Sequence, residues 1–263
     1  MQDYFFTLAD ALQAPLQGGE TLLLSFDGED SDFIRVNQAR GRQAGRVTRR
    51  SLALDLIAAD RHAAGRAQLA GSLEPDLPLL RYLLEDLRAQ RAYLPADPYL
   101  NFATDDASSK TLVKSELPER DAALDAIMGA SGALDLVGIY AAGAVYAGFA
   151  NSLGQRNWLA CESFIFVWSC FHARDKAVKS DYAGLCWDPD ELQARMQHAK
   201  TDLEIVRRPP KTIDSGRYRV YLAPRALQEV LEMMAWGGFG LKSQRTGQSP
   251  LNRMLADGLR LDS

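Results

Sequence analysis

The sequence predicts an α+β fold in which antiparallel meanders of strands pack against helices. Segments whose apolar residues recur every three or four positions alternate with two groups of consecutive β-rich runs. The resulting order is helix, meander, helix, meander, helix, strand and helix, which differs from the regular alternation of parallel α/β folds. We expect the 263 residues to form an N-terminal α+β domain over residues 1–130 and a central α+β portion over residues 131–263.

The first half begins with a predicted helix, which runs from Phe5 to about Leu16 and ends at Gly18-Gly19. Asp27-Gly28 is a common tight-turn pair and is expected to end the first strand of the meander that follows. Leucines at helical spacing then predict a second helix. The strands are expected at residues 20–26, 33–36 and 46–57, with a last short strand that follows Gly65 and ends at residue 70. The helix is expected at residues 74–93.

The second half begins with an uncharged segment, residues 136–150, which is too short for a membrane-spanning helix. Because Gly143 interrupts it, we interpret it as a pair of buried strands, followed by further aromatic strands in a second meander. Asp188 and Pro189 are typical of a helix start. The other predicted elements are helices over 119–128, 188–206 and 224–235 and a strand over 218–222.

Composition and charge exclude several classes of protein. The net charge of −4 argues against nucleic-acid binding through the overall charge of the chain. Three cysteines do not form a disulfide framework, and the acidic N-terminus lacks the positive charge of an export signal, so we expect a cytoplasmic protein without a membrane segment.

The first meander carries a cluster of arginines. Because no base-stacking aromatic residues are interleaved with these arginines, we interpret the cluster as a sheet surface whose arginines pair with nearby acidic residues. They are Arg35, Arg40, Arg42, Arg46, Arg49 and Arg50.

No common catalytic or cofactor motif occurs. The sequence lacks the phosphate-binding, dinucleotide-binding, G-x-S-x-G and C-x-x-C patterns. The three histidines, His62, His172 and His198, are too far apart in sequence for a zinc motif. Cys161 and His172 are the one candidate nucleophile–base pair, facing each other across a hairpin, although a core position for the cysteine is the simpler interpretation. We expect no catalytic residue, no metal and no cofactor.

A dense polar run follows the aromatic strands, over residues 174–184. It lines a cavity or a partner surface, or else it forms a solvated hairpin, which its composition favours. The hypothesis for a peptide- or partner-binding surface rests on six residues. They are Asn151, Ser152, Arg174, Asp175, Lys176 and Tyr182.

Three short segments carry a resemblance to a known family. They are Ala150-Asn151-Ser152-Leu153-Gly154-Gln155 before an aromatic strand, Phe33-Ile34-Arg35-Val36-Asn37 in the first meander, and residues 218–222 leading through Ala223-Pro224 into a helix. In these segments and in their order, the chain resembles the TldD/PmbA family of peptidase U62-like proteins, once called modulators of DNA gyrase. The resemblance covers nearly the whole chain and implies the N-terminal lobe of that family's fold.

The resemblance also implies a role in proteolysis. In this family the TldD-type subunit carries a zinc-binding H-E-x-x-x-H on the helix after Ala-Pro, the TldE/PmbA-type subunit lacks it, and the two form a cytoplasmic protease for unfolded or short peptides. Here Glu232, Met233 and Gly237 stand at the positions of the motif, and no histidine follows His198. Met233, with Trp236 nearby, is typical of a buried apolar helix.

The implied protein is thus a TldE-like subunit that has no zinc site and no activity alone. Its expected partner is a TldD-like zinc-bearing subunit, or a second copy of the chain, and its expected substrate is an unfolded peptide. Two alternatives remain: a stand-alone peptide- or protein-binding module without activity, and a hydrolase that uses Cys161 and His172.

The length departs from the family pattern. The resemblance implies a further β-rich C-terminal lobe, whereas this sequence ends at Ser263, soon after the last predicted helix. We therefore expect a truncated relative in which apolar side chains near the end of the sequence are exposed. The candidates for that exposed surface are Trp236, Phe239 and Leu241.

Overall fold

The computed structural model describes residues 1–38, 40–173 and 176–260. The chain divides into two units, Met1–Pro209 and Pro210–Ser263. Within the described residues, the first unit combines one seven-stranded sheet with helices, so the predicted α+β class is confirmed. The observed division lies elsewhere than the expected one near residue 130, because strands from both sides of that position pair in the same sheet.

The elements of the first unit follow in chain order. They are α1 (Gln2–Gln13), β1 (Glu20–Asn37), β2 (Arg40–Ala58), β3 (Arg61–Gln68), α2 (Leu73–Arg91), β4 (Ser109–Val113), α3 (Arg120–Ser131), β5 (Asp135–Asn151), β6 (Arg156–Ala173), β7 (Lys176–Gly184) and α4 (Pro189–Val206). The second unit contains α5 (Pro224–Ala235), α6 (Leu241–Arg245) and α7 (Asn252–Ala256).

The strand order in the sheet is β3-β2-β1-β5-β6-β4, and β7 pairs with a different part of β6 from β4. All of these pairs are antiparallel except β4 with β6, which is parallel. The central strands β1, β2, β5 and β6 are 17 to 19 residues long, about three times the usual strand length.

Two glycines that predicted strand ends lie instead in the middle of long strands. The expected turn at Asp27-Gly28 is wrong, because β1 continues through it to Asn37. A Cβ on Gly28 would lie 3.1 Å from ring atoms of both Phe26 and Tyr146, so this glycine makes room for aromatic packing. The expected pair of strands within residues 136–150 is likewise one strand, β5. A Cβ on Gly143 would lie 2.2 Å from the carbonyl oxygen of Asp30, so here β1 and β5 approach too closely for a side chain.

Helices cover one face of the sheet in two places. The first cluster contains apolar residues of α1 and α2 against β1, β2 and Trp158. The second contains apolar residues of α3 and α4 against β5, β6 and β7. The helix-side face therefore carries two hydrophobic clusters. Their largest fully buried side chains are Phe5, Phe26 and Leu12 in the first and Trp168, Tyr140 and Phe166 in the second.

The first cluster is closed by a buried carboxylate, Asp76, which is 2% exposed. Its oxygens accept hydrogen bonds from the amides of Ala70, Gly71 and Ser72 at 2.8 to 3.0 Å and from the hydroxyl of Tyr4 at 2.6 Å. Burial alone would raise the pKa of Asp76, but these hydrogen bonds outweigh it and lower the pKa. The carboxylate thus fixes the β3–α2 connection and joins it to α1.

A second buried carboxylate, Glu20, joins β1 to α2. Its side chain is 2% exposed and lies 2.8 Å from Nε and from Nη2 of Arg88, with Arg91 at 3.4 Å. The Arg88 hydrogen bonds, which outweigh the effect of burial, lower the pKa of Glu20 from 4.5 to about 2. Glu85 pairs with the same Arg88 from the solvent side.

The second cluster is apolar and aromatic, with two polar atoms left unpartnered. The hydroxyl of Tyr140 and Nε1 of Trp168 are buried and have no hydrogen-bond partner among the described residues. Burial raises the pKa of Tyr140 to about 12. At the edge of this cluster, α4 begins as predicted: Asp188 accepts a hydrogen bond of 2.9 Å from the amide of Asp190 and Pro189 occupies the first turn.

In the second unit the predicted helix from Pro224 is confirmed as α5, but the predicted strand over 218–222 is wrong. No strand pairs with that segment among the described residues, and its Tyr218, Val220 and Tyr221 are exposed. A β-favouring composition without a neighbouring strand does not make a strand.

Candidate interaction site

The two faces of the sheet differ in what covers them. Side chains at even-numbered positions of β5 and β6 point to the helices, whereas the odd-numbered ones form what we call the open face. Five apolar residues on this face are 39 to 46% exposed: Val137, Ile139, Val145, Leu159 and Ile165. An exposed apolar area of this kind is typical of a protein–protein contact surface.

Charged residues border the open face. Glu29 on β1 pairs with Arg49 on β2 at 3.7 Å, and Lys179 and Asp181 on β7 lie opposite Ser169 and Val167 of β6. An apolar centre with a charged rim is the usual composition of a protein interface. On the helix side, Arg50 and Asp30 form a further pair at 3.0 Å. Ion pairing of the arginines is therefore confirmed for Arg49 and Arg50.

Two of the predicted site residues, Asn151 and Ser152, build the turn between β5 and β6. The side-chain oxygen of Asn151, which is 2% exposed, accepts hydrogen bonds of 3.0 Å from the amides of Leu153 and Gln155. The hydroxyl oxygen of Ser152 accepts one of 3.1 Å from the amide of Leu22. Both side chains thus have a local structural role at the end of the sheet.

Two others, Lys176 and Tyr182, belong to β7. The side chain of Lys176 donates to the carbonyl of Arg208 at 3.2 Å. The hydroxyl of Tyr182 accepts a hydrogen bond of 2.8 Å from the amide of Asp188, which attaches β7 to the start of α4. Lys176 pairs with Ala173 at the far end of β6 from the Asn151 turn, so the structure does not bring these predicted residues together.

The remaining two predicted site residues, Arg174 and Asp175, lie outside the described residues. The strands on either side of them, β6 and β7, form an antiparallel pair, and residues 176–184 of the polar run belong to β7.

The proposed pairing of Cys161 with His172 is wrong. Both residues belong to β6, eleven positions apart, which corresponds to about 36 Å along a strand. Their odd and even positions also put their side chains on opposite faces of the sheet. The second thiol on this strand, Cys170, is fully buried, and burial raises its pKa to about 11.

The second unit exposes its apolar residues. Helix α5 contains no buried side chain, and Met233 and Trp236 are 73 and 85% exposed, so the expectation that they are buried is wrong. The expected exposure of Trp236, Phe239 and Leu241 is confirmed. On the same helix, Glu232 accepts a hydrogen bond of 2.6 Å from the side chain of Gln228.

Neither a metal cluster nor a membrane-crossing helix is found in the described part of the chain. No three His, Cys, Asp or Glu side chains there are placed to hold a metal ion. None of the described helices has the length and apolar character needed to cross a membrane.

Comparison of the sequence with models of protein families and with curated proteins finds no match. Comparison of the structure with solved structures finds matches that include two proposed modulators of DNA gyrase and a TldE. A proposed modulator of a DNA gyrase from Thermotoga maritima matches with a TM-score of 0.65 and 14% identity over 94% of this chain and 58% of the other. A second proposed modulator of DNA gyrase, from Bacteroides thetaiotaomicron, matches with a TM-score of 0.60 and 13% identity over 90% of this chain and 56% of the other.

The third neighbour is TldE from Thermococcus kodakarensis, with a TM-score of 0.51 and 9% identity over 76% of this chain and 47% of the other. At these identities the similarity concerns the fold. The chain therefore has a TldD/PmbA-like fold and spans little more than half the length of the first two of these structures.

Proposed function

We propose that the chain is a TldE-like, non-catalytic subunit that pairs with a zinc-bearing TldD-like subunit in a cytoplasmic peptidase of unfolded or short peptides. The fold similarity to TldE and to the proposed gyrase modulators supports this class of protein. The observation that carries the non-catalytic part is the sequence at the end of α5, where Glu232 and Met233 in the helix and Gly237 just after it stand at the positions that the resemblance assigns to H-E-x-x-x-H.

The side chains at these positions explain why zinc is not expected there. A zinc site that activates water needs about three protein ligands and a general base. Glu232 offers one carboxylate, which already accepts the hydrogen bond from Gln228, while a thioether and a glycine replace the other groups. The chain would therefore contribute binding surface to the complex, and its partner would contribute the metal.

The open face supports a role in pairing. Its apolar centre on β5 and β6 is uncovered in the described chain, and its charged rim supplies the polar border that a specific interface needs. A TldD-like subunit that covers Ile139 and Ile165 would remove this apolar surface from water.

The test is reconstitution with a TldD-like chain that carries H-E-x-x-x-H. We expect the two chains to co-purify, zinc to be found at one equivalent in the partner, and peptide cleavage to need both chains. Stoichiometric zinc and chelator-sensitive cleavage in this chain alone would contradict the proposal. Failure to bind any such partner, with peptide binding retained, would favour the stand-alone binding module.

The matched variants are Ile139→Lys on the open face and Leu79→Lys on the exposed side of α2. The two side chains are 45 and 44% exposed, so both substitutions should leave the fold intact. Because a buried lysine without a partner is costly, we expect Ile139→Lys to weaken co-purification at least tenfold and Leu79→Lys to leave it unchanged.

A further inference from the structure

A groove of about 510 Å³ lies at the end of β4 in the first unit, separate from the predicted site residues. Its lining includes Leu112, Lys114, Glu116, Tyr146, Cys161 and Glu162. A volume of this size is within the range of small-ligand pockets, about 300 to 1,000 Å³. No part of the proposed function uses this groove.

The groove lies at a gap in the pairing of β6. The parallel pairing with β4 ends at Val113 and Cys161, and the antiparallel pairing with β7 begins at Phe164. Between these points no described strand pairs with β6 on that side. Past Val113 the chain leaves β6, and Glu116 forms a single bridge to Cys186.

Backbone hydrogen bonds hold this opening in place. The amide of Glu116 donates to the carbonyl of Leu185 at 2.9 Å, and its carbonyl accepts from the amide of Trp187 at 2.9 Å. The gap therefore has two fixed walls, and the three-residue step from Val113 to Glu116 corresponds to about 10 Å of extended chain. An opening beside a strand is the kind of position that an extended peptide occupies by adding to a sheet.

The polar lining favours a cation. Two carboxylates, Glu116 and Glu162, and one ammonium group, Lys114, line the groove. The hydroxyl of Ser115 donates to Glu162 at 3.2 Å, and no ion pair of 4.0 Å or less to either carboxylate is found among the described residues. Tyr146 adds no charge at neutral pH, since a phenol is protonated there, and burial, with Asp30 nearby, raises its pKa further.

The apolar lining favours a side chain beside that cation. Leu112 is 63% exposed on the wall, and Ala144, Ala160 and the ring of Tyr146 also line the groove. A metal ion fits this lining less well, since no three ligand side chains there are placed around one point in the described residues. The occupant with the matching chemistry is a short extended chain with a basic and an apolar side chain.

We propose that this groove binds an extended peptide segment in which a lysine or arginine contacts Glu162 and a neighbouring apolar side chain packs on Leu112. The inference deepens the proposed function, because it names the class of peptide that the non-catalytic subunit presents, and it rests on that function for its biological role. The binding itself is a property of this chain alone.

The test uses fluorescein-labelled hexapeptides with blocked ends and a central Lys-Leu, Gln-Leu or Glu-Leu pair, measured by fluorescence anisotropy with the full chain. We expect the Lys-Leu peptide to bind about tenfold more tightly than the Gln-Leu peptide, since a charge-assisted hydrogen bond is lost in the latter. Glu162→Gln should remove this difference, whereas Glu74→Gln, an exposed carboxylate on α2, should retain it.

The cysteines locate the bound peptide. Cys186 is exposed and lines the groove, whereas the thiol of Cys161 belongs to the open face by its odd position and Cys170 is fully buried. We expect the Lys-Leu peptide to slow iodoacetamide alkylation of Cys186 and not of Cys161, measured by mass spectrometry. Binding of this peptide without protection of Cys186 would overturn the proposal, because the peptide would then lie elsewhere.

Two further results would overturn it. Equal binding of the Lys-Leu and Gln-Leu peptides would remove the role of Glu162. A concentration-dependent dimer, seen by light scattering and lost in Leu112→Asp, would show that a second copy of the chain occupies the groove. Co-purification of Glu162→Gln with the zinc-bearing subunit separates the two proposals, since the pairing is expected to survive this substitution whether or not the groove binds peptide.

Discussion

The two hydrophobic clusters on the helix side of the sheet are stabilised by different interactions. In the first, the buried carboxylates Asp76 and Glu20 join the helices to the strands through hydrogen bonds and ion pairs. In the second, aromatic side chains fill the space, and the buried hydroxyl of Tyr140 has no partner among the described residues. We therefore expect removal of a buried polar group to have opposite effects on stability in the two clusters, and we expect acid sensitivity at the first cluster.

The largest effect is expected for Asp76→Ala. Three backbone amides and the hydroxyl of Tyr4 would lose their acceptor in a buried position, at a cost of about 4 kcal/mol in the free energy of unfolding. Urea unfolding followed by circular dichroism measures it. The exposed Asp86→Ala on the same helix is the control and should change stability by less than about 0.5 kcal/mol. Equal effects of the two substitutions would remove the distinction between the clusters.

Glu20→Gln is expected to cost about 3 kcal/mol. It leaves Arg91 and part of Arg88 buried without their counter-charge. The matched control is Glu85→Gln, which removes the solvent-side partner of the same Arg88 and should cost less than about 1 kcal/mol. A small cost for Glu20→Gln would mean that the buried ion pair contributes little beyond what a neutral hydrogen bond supplies.

The loss of stability at acid pH is expected to come largely from protonation of Glu20. Its pKa falls from 4.5 in the unfolded chain to about 2 in the folded protein, so its contribution is present above pH 4.5 and is lost as the pH falls toward 2. Between pH 5 and pH 3 we expect wild-type stability to fall by about 2 kcal/mol more than that of Glu20→Gln. Parallel pH profiles for the two proteins would contradict this assignment.

The smallest effect is expected for Tyr140→Phe in the second cluster. Removal of a buried hydroxyl that has no partner should change stability by less than about 1 kcal/mol, and in the stabilising direction. Thermal unfolding at neutral pH measures the change. A loss of more than about 1 kcal/mol would show that the hydroxyl is bonded, and the second cluster would then resemble the first.

Local signals in the sequence predict part of this structure. Helices α1 and α2 follow from apolar spacing, the start of α4 follows from Asp188 and Pro189, and the start of α5 follows from Pro224. The length of the strands could not be predicted from the sequence, because Gly28 and Gly143 have the local appearance of turn residues. In the structure, Gly28 makes room for aromatic rings and Gly143 lets another strand approach. That role depends on partners distant in sequence.

The sites show the same limit. Cys161 and His172 appeared able to meet only as long as a turn was expected between them, and the continuous strand β6 separates them. The open face and the groove beside β4 carried no motif, and the groove is built from β4 and β6, which pair across more than forty residues of sequence. Exposed odd-numbered positions such as Ile139 and Ile165 become recognisable as a surface only once the helices are known to lie on the other face.

The central claim is that this chain contributes binding surface and not a metal to a two-subunit peptidase. The most direct measurement is peptide cleavage by this chain alone, by a zinc-bearing TldD-like chain alone, and by both together, with zinc determined in each separated subunit. We expect cleavage by the pair only, with the zinc in the TldD-like chain. Zinc-dependent cleavage by this chain alone would contradict it.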